Sequence, residues 1–351
     1  MAMRSAFVRS CHVALVGCGT VGSAVARRLL DAPVPGLQLT HVLDRRPREK
    51  ASAFPGVPLT WTDSIDVVLT SDADIVVEAI GGVEPAAEWV RAALAAGKSV
   101  VTANKQVIAR HGPALLRLAE HQGRQLRFEA AVGGAMPIVR ALGEGLTAAG
   151  VTHITGILNG TCNAVLSRME SRACTLNEAL EAARADGLAE ADPSADLDGA
   201  DAQAKLAILC ALAFGLRVDP DAIDARSIAA IGPSHHARAR RRGAVLRQLA
   251  HASYDEEHSR LTAWVAPALV SPDSLFARTT GPANAALVCT RHAGEIGLFG
   301  PGAGGEPTAA AVVADLLAIA RDPAAVVPAP ALRPPALIAG LDPDIDIVEA
   351  L

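Results

Sequence analysis

Val13-Ala14-Leu15-Val16-Gly17-Cys18-Gly19-Thr20-Val21-Gly22 decides the fold. A short apolar run ends in G-x-G-x-x-G, and Thr20–Leu30 then sets Val21, Ala24, Val25 and Leu29 on one side at helical spacing. A strand that turns through glycines into a helix opens a dinucleotide-binding βαβ unit. Gly17 permits the tight turn, Gly19 lets backbone approach a pyrophosphate, and Gly22 lets the helix pack close to the strand. The helix start at Thr20 and Val21 offers free N–H groups and a positive dipole end to phosphates. The motif also wants an acid about 20 residues on. Asp44 meets it at the end of a second strand, Leu37–Leu43, where it can hold both ribose hydroxyls. A ligand-free structural turn is the plain alternative, and this context weighs against it. Asp44 would repel a 2′-phosphate, which favours NAD. Arg45, Arg46 and Arg48 follow at once, either as a solvated loop or as partners for that phosphate, so NADP stays open.

Outward from the motif, strand and helix patterns alternate. Ile75–Ala79, Ser99–Thr102 and Leu126–Ala130 read as strands, and Glu84–Ala96 and Pro113–His121 as helices, the former closed by Gly97. Fully apolar strands between helices imply a parallel sheet covered on both faces. After Gly133-Gly134 the character changes. Helices are expected at Pro137–Leu146, Cys162–Glu170, Leu176–Asp186 and Gly199–Phe214, and strands at Val151–Leu158, Leu261–Ala266 and Ala285–Cys289. Pro307–Arg321 is a clear late helix. The fold class is therefore α/β, a Rossmann-like domain with a second α+β domain. The expected division is 1–134, completed by the helix 307–321, then 135–306, then a proline-rich tail 322–351.

Composition narrows the function. Thirty-two basic against 37 acidic residues leave a net charge of −5, which gives nucleic acid or an anionic membrane no electrostatic purchase. Aromatics are 3%, too few for base-stacking or sugar-stacking surfaces. The six cysteines form no C-x-x-C pair, so zinc is not expected, and a reducing cytoplasmic setting fits them best. The start lacks a signal core, and the longest apolar run, Leu206–Leu216, is too short to span a bilayer.

The chemistry concentrates in Gly187–Lys205. Glu190, Asp192, Asp196, Asp198 and Asp201 precede an apolar helix, with Asp198 or Gly199 as its N-cap. Asp201 and Lys205 are spaced i,i+4 and share a helix face. A capped helix with a surface ion pair, worth a few tenths of a kcal/mol, explains this much. Leu206-Ala207-Ile208-Leu209 argues instead that the helix is buried. A lysine there is desolvated and shifts toward a useful pKa. A carboxylate cluster is also what an amino acid's ammonium group requires. A second lysine, Lys105, follows the Ser99–Thr102 strand, at the end where a doubly wound sheet binds ligands. An ordinary strand-end lysine is the alternative.

Together these stretches resemble the homoserine dehydrogenase family. The strings are Gly17–Gly22; Thr102-Ala103-Asn104-Lys105; Glu129–Pro137; Gly156-Ile157-Leu158-Asn159-Gly160-Thr161-Cys162-Asn163; Glu190–Lys205; and Phe299–Thr308. They occur in the family's order and cover most of residues 12–321. The resemblance implies reversible NAD(P)-dependent hydride transfer between aspartate semialdehyde and homoserine, in threonine and methionine biosynthesis. It implies that Lys205 is the proton donor, with Lys105 a second active-site lysine. Glu190, Asp196, Asp201, Gly160 and Thr161 would hold substrate. Gly17, Gly19, Thr20, Val21, Gly22, Asp44, Arg45, Thr102, Lys105, Gly302 and Thr308 would hold cofactor. Backbone carbonyls of Glu129, Val132, Gly134 and Met136 would hold a monovalent cation, usually sodium, unless that stretch is simply a glycine-rich turn joining the domains. A homodimer through the second domain's sheet is also implied. Cys162 needs no nucleophilic role and is expected to pack.

Two departures from the family stand out. Leu188 occupies a position where relatives often carry a substrate-contacting Tyr, and 235–247 is unusually basic, as a solvated or interface segment would be. Too few residues follow for the regulatory ACT domain of many relatives, so threonine feedback through one is not expected. Two rival readings follow from these features. One is a dehydrogenase of the same fold acting on another small amino- or hydroxy-acid; the other is a catalytically silent, cofactor-sensing paralogue. Retention of Glu190, Asp201 and both lysines weighs against them.

Overall fold

Residues 10–32, 34–342 and 347–349 are described by a computed structural model; the expectations for the extreme N-terminus and part of the tail fall outside them. The alternation of short apolar strands with amphipathic helices yields β1 (Cys11–Val16), α1 (Thr20–Leu30), β2 (Leu37–Leu43), α2 (Pro47–Ala51), β3 (Thr60–Thr62) and α3 (Ile65–Thr70). It continues with β4 (Ile75–Glu78), α4 (Ala86–Ala95), β5 (Ser99–Thr102), α5 (Lys105–His121) and β6 (Leu126–Arg127). All pairings are parallel and the order is β3-β2-β1-β4-β5-β6. The chain reverses its direction of travel across the sheet between β1 and β4, and ligands of such sheets bind outside the strand ends at that point. Val13, Leu15, Ile75 and Val77 are fully buried, each side chain stabilising by about 1.5–3 kcal/mol. They share a core with α1 and the late helix Gly305–Arg321, which packs back onto this sheet.

Helix α5 begins at Lys105, eight residues before the expected Pro113. The Asn104 side chain accepts from the Gln106 and Val107 N–H groups and sets the true start. Pro113 lies inside the helix, where it removes one backbone donor without ending it. Lys105 is therefore the first residue of a helix rather than the end of a strand. The expected strand Leu126–Ala130 stops at Arg127, and Glu129–Ala131 forms a 3₁₀ turn.

The second unit contains α6 (Ile138–Arg140), β7 (Val151–Ile157), α7 (Gly160–Arg172), α8 (Leu176–Ala185), α9 (Ser194–Leu197), α10 (Ala200–Phe214), β8 (Asp224–Ala225) and α11 (Pro233–Arg241). There follow β9 (Val245–Asp255), β10 (Arg260–Val270), α12 (Leu275–Arg278), β11 (Ala283–Thr290), β12 (Gly294–Pro301) and β13 (Leu337–Ala339). The sheet runs β12-β11-β7-β9-β10-β13, antiparallel except for β13, and β8 pairs parallel with β10. Val165, Leu166 and Met169 of α7 bury against Leu246 and Leu269 of the sheet. The single helix expected over Pro137–Leu146 is α6 followed by a π-type turn, Ala141–Gly145, in which Gly143 and Gly145 weaken α-helix propensity. The basic stretch divides between α11 and the start of β9, and Arg247 is buried within it. Tail residues pair with β10, Leu337–Ala339 at Arg260–Thr262 and Val348 at Ala268.

The two compact units comprise Met1–Ala131 with Gly304–Pro330, and Val132–Ala303 with Ala331–Leu351. No helix among the described residues is long and apolar enough to cross a membrane.

Candidate active site

The glycine turn leaves β1 with each glycine under a different constraint. Gly17 has φ +96°, and a Cβ there would lie 2.8 Å from the Ala79 carbonyl oxygen. A Cβ on Gly22 would lie 1.8 Å from the Gly17 carbonyl oxygen, so only glycine lets α1 pack so close. Gly19 faces open space, with nothing within 4 Å of its Cβ position. That is the approach a diphosphate needs, and the exposed Thr20 opens the helix beside it. A Cβ on Gly305 would lie 3.0 Å from the Thr20 carbonyl oxygen, so the late helix also starts beside the turn. In that helix the Thr308 N–H donates to the Gly304 carbonyl.

Asp44 closes the turn from β2. Its Oδ2 accepts from the Cys18 N–H at 3.0 Å and its Oδ1 from the Arg46 N–H at 2.9 Å. A cleft of about 400 Å³ runs beside it, bordered by Gly17, Gly19, Asp44, Arg45, Lys50 and Trp89 among others. Arg46 pairs with Glu49 at 3.1 Å, whereas Arg45 is exposed. Across the strand ends the Thr102 hydroxyl donates to the buried Glu78 carboxylate and accepts from the Asn104 N–H. The Asn104 Nδ2 donates to the Gly82 carbonyl at 2.7 Å. This network pins the ends of β4 and β5 and presents Lys105 in the first turn of α5. A cation there opposes the helix dipole by about 0.3–1 kcal/mol, so helix stability does not explain its place. The open Gly19, the two helix starts and Asp44 fit a dinucleotide.

In the second unit, Lys205 lies on α10 with its side chain 10% exposed and its Nζ 2.7 Å from Asp201 Oδ2. The same Nζ donates to the Leu158 carbonyl at 2.7 Å, where β7 ends. An ammonium has three N–H donors. Two are taken, and the third has no partner among the described residues. Asn159 caps α7 by accepting from the Cys162 N–H at 2.7 Å. Its Nδ2 donates to Asp196 Oδ1 at 2.7 Å and to Asp201 Oδ2 at 2.9 Å, tying both acids to the start of α7. Burial raises the Asp196 carboxyl above the ordinary aspartate value, and neighbouring Asp201 pushes the same way against the Asn159 hydrogen bond. The Thr161 hydroxyl donates to the Leu188 carbonyl at 2.9 Å. Gly160 must be glycine, because a Cβ would lie 2.6 Å from the Pro282 carbonyl oxygen. Lys205, Asp201, Asp196, Thr161 and Gly160 thus converge. Glu190 is exposed, and among the described residues its carboxylate makes no hydrogen bond or ion pair. Cys162 is fully buried, its Sγ donating to the Asp196 carbonyl, and burial pushes its thiol well up, which leaves no nucleophile there.

The homoserine dehydrogenase profile matches residues 137–317 and that family's NAD-binding-domain profile matches residues 17–129. The chain belongs to the homoserine dehydrogenase family. The homoserine dehydrogenase of Synechocystis sp. is 39% identical over 314 residues, 88% of this chain and 72% of that protein. That of Pseudomonas aeruginosa is 37% identical over 336 residues, 93% and 76%. A homoserine dehydrogenase structure from Thiobacillus denitrificans aligns with TM-score 0.85 at 37% identity, covering 97% of this chain and 80% of that one. A hyperthermophilic archaeal homoserine dehydrogenase solved in complex with NADPH aligns with TM-score 0.74 at 28% identity, covering 88% and 97%. The protein is an oxidoreductase with the family's activity: it interconverts homoserine and aspartate semialdehyde, small-molecule substrates, with a nicotinamide dinucleotide.

Three residues that hydrogen-bond with candidate site groups are not marked out by the sequence reading. Asn159 bridges two acids, Glu78 anchors Thr102, and Asn284 donates its Nδ2–H to the Leu158 carbonyl at 3.1 Å. Asn159 directly precedes a helix, which is a usable capping signal. Glu78 stood out as the one acid in an apolar strand. Nothing local marked Asn284.

Proposed function

We propose that Lys205 gives the proton in semialdehyde reduction and takes it back in homoserine oxidation. The observation that carries this is the ammonium held by Asp201 and the Leu158 carbonyl with its third N–H unclaimed. The bound nicotinamide supplies or accepts the hydride. As negative charge grows on the aldehyde oxygen, the free N–H of Lys205 stabilises it and then transfers its proton, giving the alcohol. Asp201 holds the ammonium in place until then, and solvent returns the proton. Asp196, Asp201 and Glu190 receive the substrate ammonium, and Thr161 and the Gly160 backbone orient its other end. Lys105 adds a second positive charge.

Residues 1–134 with the helix 307–321 serve as the cofactor domain, and 135–306 as the substrate and dimerisation domain, in a homodimer built on the second sheet. Asp44 favours NAD by taking the ribose hydroxyl pair; Thr20, Val21, Thr102, Gly302 and Thr308 complete the cradle. Arg45 and Lys50, bordering the same cleft, support a second reading in which a 2′-phosphate is accepted, as NADPH is in the archaeal relative. Sodium would be held by the carbonyls of Glu129, Val132, Gly134 and Met136; the Met136 carbonyl already accepts from the Ile138 N–H and would use its second lone pair. The setting is cytoplasmic, without nucleic-acid or membrane partners.

Homoserine oxidation followed at 340 nm with NAD and NADP in parallel tests the cofactor reading. Asp44→Ala is expected to lower kcat/KM with NAD by about tenfold or more and to narrow the gap to NADP, since a good charge-assisted hydrogen-bond set is worth about 1.5–3 kcal/mol. Unchanged preference would remove Asp44 from the ribose site.

A further inference from the structure

Asn284 lies on β11 and is wholly buried. Its Nδ2–H donates to the Leu158 carbonyl at 3.1 Å, the same oxygen that accepts from Lys205 Nζ at 2.7 Å. The amide cannot be turned over, because that would set Oδ1 against the Leu158 oxygen. Its own Oδ1 is then left without a donor among the described residues. A buried acceptor with no partner is unfavourable, and an apolar side chain of similar size would fill the space without it. The surroundings are shaped to admit this side chain. A Cβ on Gly302 would lie 2.0 Å from its Cγ, and one on Gly160 would lie 3.6 Å from its Oδ1. The chain therefore keeps a half-satisfied amide between the end of β7, the start of α7 and the Gly302 turn. Its one satisfied contact is to the carbonyl that holds the lysine.

We infer that Asn284 is a positioning residue for Lys205, fixing the Leu158 carbonyl that serves as the second of the two anchors aiming the ammonium. The inference rests on the reading of Lys205 as proton donor. With both donors on one oxygen, the Leu158 peptide plane is pinned and the third ammonium N–H keeps one direction. Without Asn284 the carbonyl turns, the ammonium swings about its bond to Asp201, and proton transfer slows while substrate still binds.

The test is steady-state semialdehyde reduction with Asn284→Ala and the near-isosteric Asn284→Asp, alongside Lys205→Met. Both Asn284 variants are expected to lose about 10²-fold in kcat at pH 8, as misplacement of a catalytic group by about 1 Å does. The KM for semialdehyde and the cofactor Kd stay within about threefold by the same argument. In Asn284→Asp the deficit relative to wild type shrinks as pH falls and the new carboxyl gains a proton to donate to Leu158; in Asn284→Ala it does not. A folded variant with kcat within about twofold of wild type overturns the inference, as does a fall in cofactor affinity that matches the fall in kcat. Failure of both variants to fold also overturns it, because Asn284 is then a structural residue. If Lys205→Met itself keeps its kcat, the proton-donor reading fails first.

Discussion

Replacing Lys205 by Met keeps most of the side-chain volume and removes only the ammonium. The structure separates what this does to stability from what it does to rate. The pair with Asp201 is 2.7 Å long and both side chains are about nine-tenths buried, at 10% and 11% exposure. Breaking a buried pair from one side costs about 3–5 kcal/mol, because the remaining charge is stranded. Here Asn159 still donates to Asp201 at 2.9 Å, which places Lys205→Met toward the lower figure. Adding Asp201→Asn removes the carboxylate charge as well and keeps an acceptor for Asn159. The double variant should then recover to within about 1 kcal/mol of wild type, since a buried pair is worth little against neutral packing. Rate behaves differently. General acid catalysis contributes about 10²–10⁴-fold, or roughly 3–5 kcal/mol of barrier. The kcat of semialdehyde reduction should fall by that factor in both variants, while stability returns in only one. Urea midpoints read the first quantity and steady-state kinetics at saturating substrate the second. Recovery of activity together with stability in the double variant would refute the reasoning, because it would show that the ammonium mattered only as a structural partner.

Gly19→Ala should leave the urea midpoint unchanged, since its Cβ position is open, and should weaken cofactor binding by calorimetry. Gly22→Ala, whose methyl would meet the Gly17 carbonyl at 1.8 Å, should instead destabilise the protein by about 1–3 kcal/mol or more. His251, stacked on Trp264 and hydrogen-bonded at Nδ1 with Thr155, is pushed down to about 4 by burial, with His153 adding to the effect. Its folded pKa lies below the unfolded value of about 6.5, so its contribution to stability is complete above that value and is lost as pH falls through 4. The loss is about 3 kcal/mol, at about 1.36 kcal/mol for each tenfold change in proton affinity. Urea midpoints from pH 7 to 4 should fall less steeply in His251→Gln than in wild type, and parallel slopes would exclude this histidine as a source of acid lability.

The first sheet was legible because its strands are buried on both faces. Ile75–Glu78 and Ser99–Thr102 are fully buried strands with apolar centres bounded by turns, and α1 and β2 fall where their spacing placed them. Helix α5 was misjudged because Pro113 is a strong local signal and Asn104 a weak one; the cap won through two backbone hydrogen bonds that periodicity does not register. Strand β9 was hidden because Arg247, Gln248 and His251 break its apolar pattern. Two of them find neighbours that only the folded chain supplies: Glu170 of α7 at 2.8 Å from Arg247, and Trp264 and Thr155 around His251. Burial of such groups is decided by partners distant in sequence, and a single chain read residue by residue carries no trace of them.

The site divides along the same line. Asp201 and Lys205 are one helical turn apart, so their pairing was written into the spacing, and the apolar run after Lys205 correctly marked the helix as buried. On the proposed reading, what turns that pair from an ion pair into a directed acid is the Leu158 carbonyl, 47 residues away, and Asn284 beyond it, 126 residues from Leu158. Neither is recognisable by chemistry type, since one is a backbone oxygen and the other a neutral amide. An ammonium gripped at one point can rotate among its hydrogen-bond partners. Gripped at two, it has one remaining N–H and one direction, and a proton donor needs that direction more than it needs any particular charge nearby.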